Sequence, residues 1–390
     1  MIMIPFQNVS LIIILVVILL ITLETQGSKT DETKEATMLP AEHNHHYHRT
    51  EDMGRLSFHH FKSTLSTQNE AKVIAEGSST IDDHHSLPDT AETFCVTASE
   101  QINGRGTSGR LWMGSRGNTY VTIGITMKRW MTNSNRGYLP ITLLPLKIGS
   151  LVASRIRSFL SECSSTTNCN DDDINIGDRN KGVDGTTCDF SDGKSGRVTV
   201  KWPNDVLVDR EKISGILIES TTNEWLLIGI GINVAHAPPI STTGSNNGRT
   251  STCLQNHCPQ NFLSPSINNK DDDKDNNDID NNKDDDATIQ ATSTAIARRL
   301  GEDLARDVHA WFQQWMDNEQ QPTTSSSLAE SIVEEWRELV DPEMELILRD
   351  VPTLEEKRYV KMVDVLPDGR IKVIGTKDGL EQILVSDYFL

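Results

Sequence analysis

The chain has 390 residues, 37 Lys and Arg against 56 Asp and Glu, and a formal net charge of −19. That length allows more than one domain and a sizeable core. The acidity argues against a nucleic-acid backbone as the main partner, because phosphate binding draws on basic surface.

Residues 11–23 are a run rich in Ile, Leu and Val. Its length suits the core of a targeting signal better than a membrane span, which takes about 20 residues. An uncleaved anchor is the alternative, and no Lys or Arg precedes the run. Residues 24–57 are polar with little periodicity and read as a linker. His43, His45, His46 and His48 cluster there. Clusters of this kind in polar segments are usually compositional, so no metal site is assigned.

Folded character is expected from Phe58 onward. Residues 66–76 predict a capped helix: Ser66 or Thr67 can cap it, and Glu70 stands three residues after Thr67. Residues 94–98 and 120–127 predict strands. Ile148, Leu151, Val152, Ile156 and Phe159 recur at helical spacing, predicting an amphipathic helix over 146–160. Residues 161–196 read as an insertion of Ser, Thr, Asn, Asp and Gly. Three β-rich runs follow at 198–208, 212–219 and 225–234, with short polar connections that suit antiparallel pairing. A second insertion covers 237–290. It includes the Asp/Asn/Lys run 270–286, too polar to bury a core and expected to be disordered.

Ile296, Leu300, Leu304, Val308, Trp311 and Trp315 fall on one face of a helix over 291–316. Residues 323–327 read as a polar linker and 328–339 as another helix. The tail predicts strands at 345–349, 359–366, 370–376 and 381–386. Pro367-Asp368-Gly369 and Lys377-Asp378-Gly379 are the turn signals, and a small β-barrel is the expected outcome. The six cysteines are Cys95, Cys163, Cys169, Cys188, Cys253 and Cys258. Five lie in the insertions, no CxxC pair occurs, and Cys253, His257 and Cys258 match no standard zinc spacing, so free thiols are expected.

Four segments carry chemistry. Gly104-Arg105-Gly106-Thr107-Ser108-Gly109-Arg110-Leu111-Trp112 combines close-approach glycines with two permanently charged bidentate donors. It can form an anion cradle, although a surface loop with solvated arginines fits as well. Lys201-Trp202-Pro203-Asn204-Asp205 interrupts a β-rich run, because Pro203 breaks regular pairing and displays an acid and a base together. A plain turn is the alternative. Lys212-Ile213-Ser214-Gly215-Ile216-Leu217-Ile218-Glu219 is a strand that starts on a lysine, with Gly215 open to close approach. Gly229-Ile230-Gly231-Ile232-Asn233-Val234 puts two glycines in an apolar strand, which suits a ligand edge or a crowded core equally.

Taken in order, these segments resemble the biotin protein ligase family. Gly104 to Trp112 looks like its nucleotide loop, followed by the similar Arg116-Gly117-Asn118-Thr119-Tyr120. Lys201 to Asp205 matches its Lys-Trp-Pro-Asn-Asp signature without a mismatch. Ser66-Thr67-Gln68-Asn69 resembles the start of its biotin-pocket helix, and Gln101 stands three residues before Gly104, as in the family. The resemblance covers about 58–390, less the insertions. It implies an α+β fold with a mixed, largely antiparallel sheet like that of class II aminoacyl-tRNA synthetases. A catalytic domain would span 58–322, and a small SH3-like domain 328–390.

The resemblance implies ATP-dependent formation of biotinyl-5′-AMP, with Mg²⁺ bridging phosphates, then transfer of biotin to a lysine of a biotin carboxyl carrier domain. Because the first step brings two anions together, it needs concentrated positive charge. The family likeness assigns catalysis to Arg105, Lys201, Asp205 and Lys212, with Asp205 orienting the incoming lysine. It assigns ATP binding to Gly104, Gly106, Gly109, Arg110, Trp112, Asn204 and Asn233, with Trp112 stacking on adenine. Biotin falls to Ser66, Thr67, Gln68, Gln101, Arg105, Lys212 and Gly215, with no metal ligands in the chain. Thr107 departs from the family, many of whose members carry Arg there to retain the intermediate. Nothing in 1–57 resembles a helix-turn-helix, so DNA binding is not expected. A lipoate or octanoate ligase of related fold, or an inactive membrane-anchored binding module, are the competing readings. A homodimer stays open. The apolar run suggests an organelle reached through the secretory route, such as a complex plastid, or else the endomembrane system; the cytoplasm follows if the run is no signal.

Overall fold

In a computed structural model the described residues are 45–77, 87, 90–112, 114–127, 139–165, 196–222, 224–238, 250–258, 282–317, 325–348 and 358–384. The chain divides into two units, 1–43 and 44–390, and every described residue belongs to the second. The apolar run 11–23 lies outside the described residues. Among those described, no helix is long and apolar enough to cross a membrane.

One sheet carries β1 (His45–Glu51), β2 (Leu56–Phe61), β3 (Thr93–Ala98), β6 (Thr119–Thr126), β7 (Val198–Lys201), β8 (Asp205–Val208), β9 (Glu211–Ser220) and β10 (Trp225–Ile232). Its order is β1-β2-β3-β6-β10-β9-β8-β7. The β2–β3 pair is parallel and the others are antiparallel. A parallel pair needs a crossover, and α1 (Thr67–Glu76) supplies it. Ser66 caps that helix by accepting from the Gln68 N–H, and Gly77 closes it in the left-handed conformation (φ 61°).

Both faces of the sheet are covered. On one, Ala71, Ile74 and Ala75 of α1 pack with Phe94, Val96 and Leu227. On the other, α2 (Leu144–Ser165), α3 (Asn282–Asp317) and α4 (Ser325–Arg337) bury Ile148, Val152, Leu304, Val308, Phe312 and Trp336 against Val121, Ile123 and Ile228. All six residues of β3 are buried, as in a strand packed on both sides. The C-terminal strands β11 (Glu345–Leu348), β12 (Arg358–Val365), β13 (Ile371–Gly375) and β14 (Glu381–Leu384) form a second, antiparallel sheet. The remaining pair, β4 (Gly104–Arg105) and β5 (Leu111–Trp112), is a short ribbon in the glycine-rich loop.

Four expectations need correction. Residues 45–57 are no linker, since β1 pairs with β2. β1 is held by charge: Arg49 donates to Glu302 at 2.6 Å, Arg306 bonds Glu51 at 3.0 Å, and both guanidinium groups lie over the Phe58 ring, at 4.5 and 5.1 Å. The second insertion is partly structured. Residues 250–258 pair with the main sheet, and α3 begins at Asn282, inside the acidic run. The β-rich run 198–208 is two strands joined through a cis Trp202–Pro203 bond. Cys163 and Cys258 form a disulfide, with Cα atoms 5.6 Å apart, while Cys95 and Cys253 are free and buried. Cys169 and Cys188 lie outside the described residues.

Candidate active site

Three of the four chemistry-bearing segments meet around β9 and β10, and the fourth, in the β7–β8 hairpin at the sheet edge, reaches them through Asn204. β10 lies between β6 and β9, and Gly231 is the cross-strand partner of Gly215. A Cβ at Gly215 would stand 2.9 Å from the Trp112 ring and 3.1 Å from Lys212 Nζ, and one at Gly231 would enter the Trp112 indole. Two missing side chains on neighbouring strands therefore make the window into which Trp112 packs. Gly215 was assigned to biotin by resemblance; here Trp112 and Lys212 fill the space above it.

The cavity under this ribbon has a volume of about 200 Å³. One end is a connected polar cluster. Gln101 Oε1 accepts from the Thr67 N–H at 2.9 Å and from Thr67 Oγ1 at 3.2 Å. Thr122 Oγ1 lies 3.0 Å from both Thr67 Oγ1 and Gln68 Oε1, and Gln68 Nε2 donates to the Leu227 carbonyl at 3.2 Å. These groups and Ser66 are buried, so each polar atom is fixed in orientation before a ligand arrives.

The other end is built from Trp112, Asn204, Asn233, Thr250 and Ser251. Asn204 donates to the Ile216 carbonyl at 2.7 Å and Asn233 to the Thr252 carbonyl at 3.0 Å. Asn233 Oδ1 and Trp112 Nε1 are buried with no hydrogen-bond partner among the described residues. Asn118, of the similar segment after the glycine loop, accepts from the backbone N–H groups of Val234, Ala235 and His236 at 2.9–3.0 Å. It thereby fixes how the chain leaves β10. Tyr120 Oη donates to the Ser115 carbonyl at 2.7 Å, and burial pushes its phenol up to about 12. It stays neutral and holds the loop wall in place.

The middle is cationic. Arg105, Arg110 and Lys212 line the cavity, and none of the lining residues is acidic, in a chain of net charge −19. Arg105 donates to Asn69 Oδ1 at 3.2 Å and pairs with Glu219. Arg110 folds back on Thr107, donating to its carbonyl at 3.0 Å and its hydroxyl at 2.6 Å. Lys212 Nζ lies 2.6 Å from Asp205 Oδ1 and 5.4 Å from the centre of the Trp112 ring.

Most residues named from the sequence converge here, with exceptions. Lys201 does not line the cavity; it pairs in register with Asp205 across the β7–β8 hairpin. Asp205 does not line the cavity; it contacts Lys212 and is the cross-strand partner of Gly215, both of which do. Gly104 and Gly109 shape the loop without touching the cavity: a Cβ at Gly104 would sit 2.5 Å from the Trp112 carbonyl, and Gly109 has φ 69°. Trp202 points away from the site and donates from Nε1 to the Gly369 carbonyl at 3.0 Å. Thr122, Tyr120, Pro238, Thr250 and Ser251 line the cavity and were missed. Thr122 had a readable signal, a hydroxyl in the middle of a buried strand. Thr250 and Ser251 had none, because their segment has the composition of a loop.

The family model of the biotin/lipoate A/B protein ligases matches residues 70–234. A biotin–[acetyl-CoA-carboxylase] ligase from Paracoccus denitrificans is 28% identical over 155 residues, 39% of this chain and 48% of that protein. The bifunctional ligase/repressor BirA of Bacillus subtilis is 27% identical over 195 residues, 49% of this chain and 44% of that protein. The chain thus spans about half the length of the curated relatives it matches. Among solved structures, the biotin protein ligase of Leishmania major in complex with biotin superposes with a TM-score of 0.41 at 20% identity, covering 85% of this chain and 98% of that one. The Aquifex aeolicus enzyme in complex with biotin and ATP gives 0.42 at 18%, with 85% and 97% covered. The five-residue signature, the glycine loop and the two strands that follow all lie inside residues 70–234, the segment that is similar to the biotin/lipoate A/B protein ligase family.

Proposed function

We propose that the protein is an ATP-dependent biotin protein ligase. It would form biotinyl-5′-AMP from biotin and ATP, then transfer biotin to a lysine of a biotin carboxyl carrier domain. The observation that carries this reading is one cavity with three cations and no carboxylate, flanked by a buried polar cluster and by an aromatic-and-amide pocket. Biotin's ureido ring suits the Thr67, Gln68, Gln101 and Thr122 cluster, which offers both donors and acceptors. Adenine suits Trp112, with Asn233 Oδ1 free to accept from an exocyclic amine.

The carboxylate of biotin and the α-phosphate would then meet beside Lys212. Its ammonium offsets the charge gathering in the transition state. Arg105 and Arg110 would leave Glu219 and Thr107 to engage the phosphates. Biotin oxygen bonds to phosphorus as pyrophosphate departs; in the second step the acceptor amine bonds to the biotinyl carbon as AMP departs. Asp205 would orient that amine and take its proton, because a lysine attacks only as the free base. Mg²⁺ would travel with the triphosphate, as it does where substrate phosphates supply most of its ligands. Among the described residues no group of three His, Cys, Asp or Glu converges to hold it.

The likeness of the sheet to class II synthetases, an SH3-like C-terminal barrel and delivery of the protein through the secretory route belong to the same proposal. So does the choice of biotin over lipoate, since the family name covers both. Labelled biotin, ATP and a carrier domain should give a labelled carrier, with lipoate not incorporated. A thermal shift with lipoate and ATP but none with biotin and ATP would replace this reading by the lipoate one. A shift with neither ligand and no labelled carrier would support the inactive binding module.

A further inference from the structure

One wall of the site is the segment 250–258, which reaches the cavity through Thr250 and Ser251. It holds two site residues by their backbones. The Lys212 N–H donates to the Thr250 carbonyl at 3.1 Å, and the Thr252 N–H to the Lys212 carbonyl at 3.0 Å. The Leu254 N–H donates to the Asn233 carbonyl and the Gln255 N–H to that of Val234, both at 3.0 Å. The Asn233 side chain closes the set on the Thr252 carbonyl. The far end of this short segment is Cys258, bonded to Cys163 near the end of α2, 95 residues away in sequence. Cys163 is buried, so the anchor is the hydrophobic core itself.

We infer that the Cys163–Cys258 disulfide is a redox-sensitive positioning clamp on the nucleotide side of the site. Oxidised, it pins the segment that holds Lys212 and Asn233 from behind. A dithiol reductant would cleave it through a mixed disulfide. Two electrons and two protons leave the reductant, Cys163 and Cys258 become thiols, and the reductant closes its own disulfide. The segment then keeps its hydrogen bonds, the approach of His257 to Asp209 at 3.6 Å and the packing of Cys253 and Leu254. Cys95 and Cys253 are buried free thiols and take no part. The naming of ATP as the substrate whose binding changes rests on the ligase reading; the loosening of the segment does not.

The test compares the full chain before and after dithiol treatment. Amide exchange at Lys212, Thr252, Leu254 and Gln255 should speed up on reduction, while that of β3 stays slow. KM for ATP should rise about 2- to 30-fold, the range over which contacts remote from a ligand modulate its site, with kcat changing less. Cys163→Ser should show the reduced behaviour from the start and ignore the dithiol, whereas Cys253→Ser should keep the full response. Unchanged exchange on reduction, or a dithiol response that persists in Cys163→Ser, would overturn the clamp. So would absence of the Cys163–Cys258 cross-linked peptide from a non-reduced digest. If neither redox form binds ATP, the ligase reading fails, and the exchange data still decide the clamp.

Discussion

Lys212 Nζ and Asp205 Oδ1 meet at 2.6 Å across a hairpin whose register slips between Val206 and Leu207. The slip matters, because Leu207 and not Asp205 is the cross-strand partner of Lys212. The bulge re-aims the lysine along the strand, as bulges beside sites do. On the proposed ligase reading, removing either partner should therefore separate the two chemical steps. Lys212→Ala should lower biotinyl-AMP formation by about 100- to 1,000-fold, the usual cost of one lost charge-stabilising donor. Asp205→Asn should still form biotinyl-AMP but transfer it slowly to the carrier. Single-turnover assays of each step check both outcomes, and equal loss of both steps in Asp205→Asn would remove that residue from the transfer role.

Thr107 receives two hydrogen bonds from Arg110. An arginine at 107 would repel Arg110, free it for the phosphates and add a cation of its own to the loop. Thr107→Arg should therefore release biotinyl-AMP more slowly than the wild type. The measurement is dissociation of radiolabelled intermediate, and equal rates would remove the argument.

The Gly215–Gly231 window should be intolerant of side chains. Gly231→Ala places a methyl group inside the Trp112 indole and should cost about 1–3 kcal/mol of stability, as overpacking does. Nucleotide affinity should fall with it. Trp112→Ala in the same chain should recover part of the stability but not the affinity. A double-mutant cycle on melting temperature and on Kd for ATP reads the two effects separately.

The β1–α3 charge network gives the fold an acid limit. The Arg306 hydrogen bond and charge hold the Glu51 carboxyl below its ordinary 4.5, against the effect of burial. The hydrogen bond from His309 to Asp52, with Arg55 beside it, lowers that carboxyl as well. A lowered folded-state value contributes stability that is fully present above the unfolded value and is lost as pH falls through the folded one. Glu51→Gln should thus melt earlier than wild type at neutral pH, and the gap should narrow as pH drops below 4.5. A gap that is constant across that range would refute the linkage.

The parts of the fold legible in the sequence are those whose cause is local. α1 carried its own cap at Ser66, and β6, β9 and β10 carried apolar runs bounded by turn residues. β1 was not legible because its stabilising partners, Glu302 and Arg306, stand more than 250 residues later. The segment 250–258 was not legible because backbone pairing with Lys212 and Asn233 gives it its shape, not the pattern of its own side chains. At the site, the residues of the polar cluster and the cations Arg105, Arg110 and Lys212 were named from motif order and line one cavity. Lys201 lies outside the lining, since a motif records which residues are adjacent in sequence and not which of them face one cavity.

The hydrogen bond from Trp202 to the Gly369 carbonyl ties the signature to the C-terminal sheet. Gly369 is in a tight turn at φ 82°, and a Cβ there would press on the Thr142 carbonyl at 2.8 Å. That turn therefore sits between the entrance of α2 and the signature tryptophan. The family match ends at residue 234, yet the signature leans on a glycine 167 positions after its tryptophan. A chain trimmed to the matched segment would keep every cation of the cavity and lose the acceptor of the Trp202 indole. The C-terminal sheet thus touches the motif at a residue that the match does not reach.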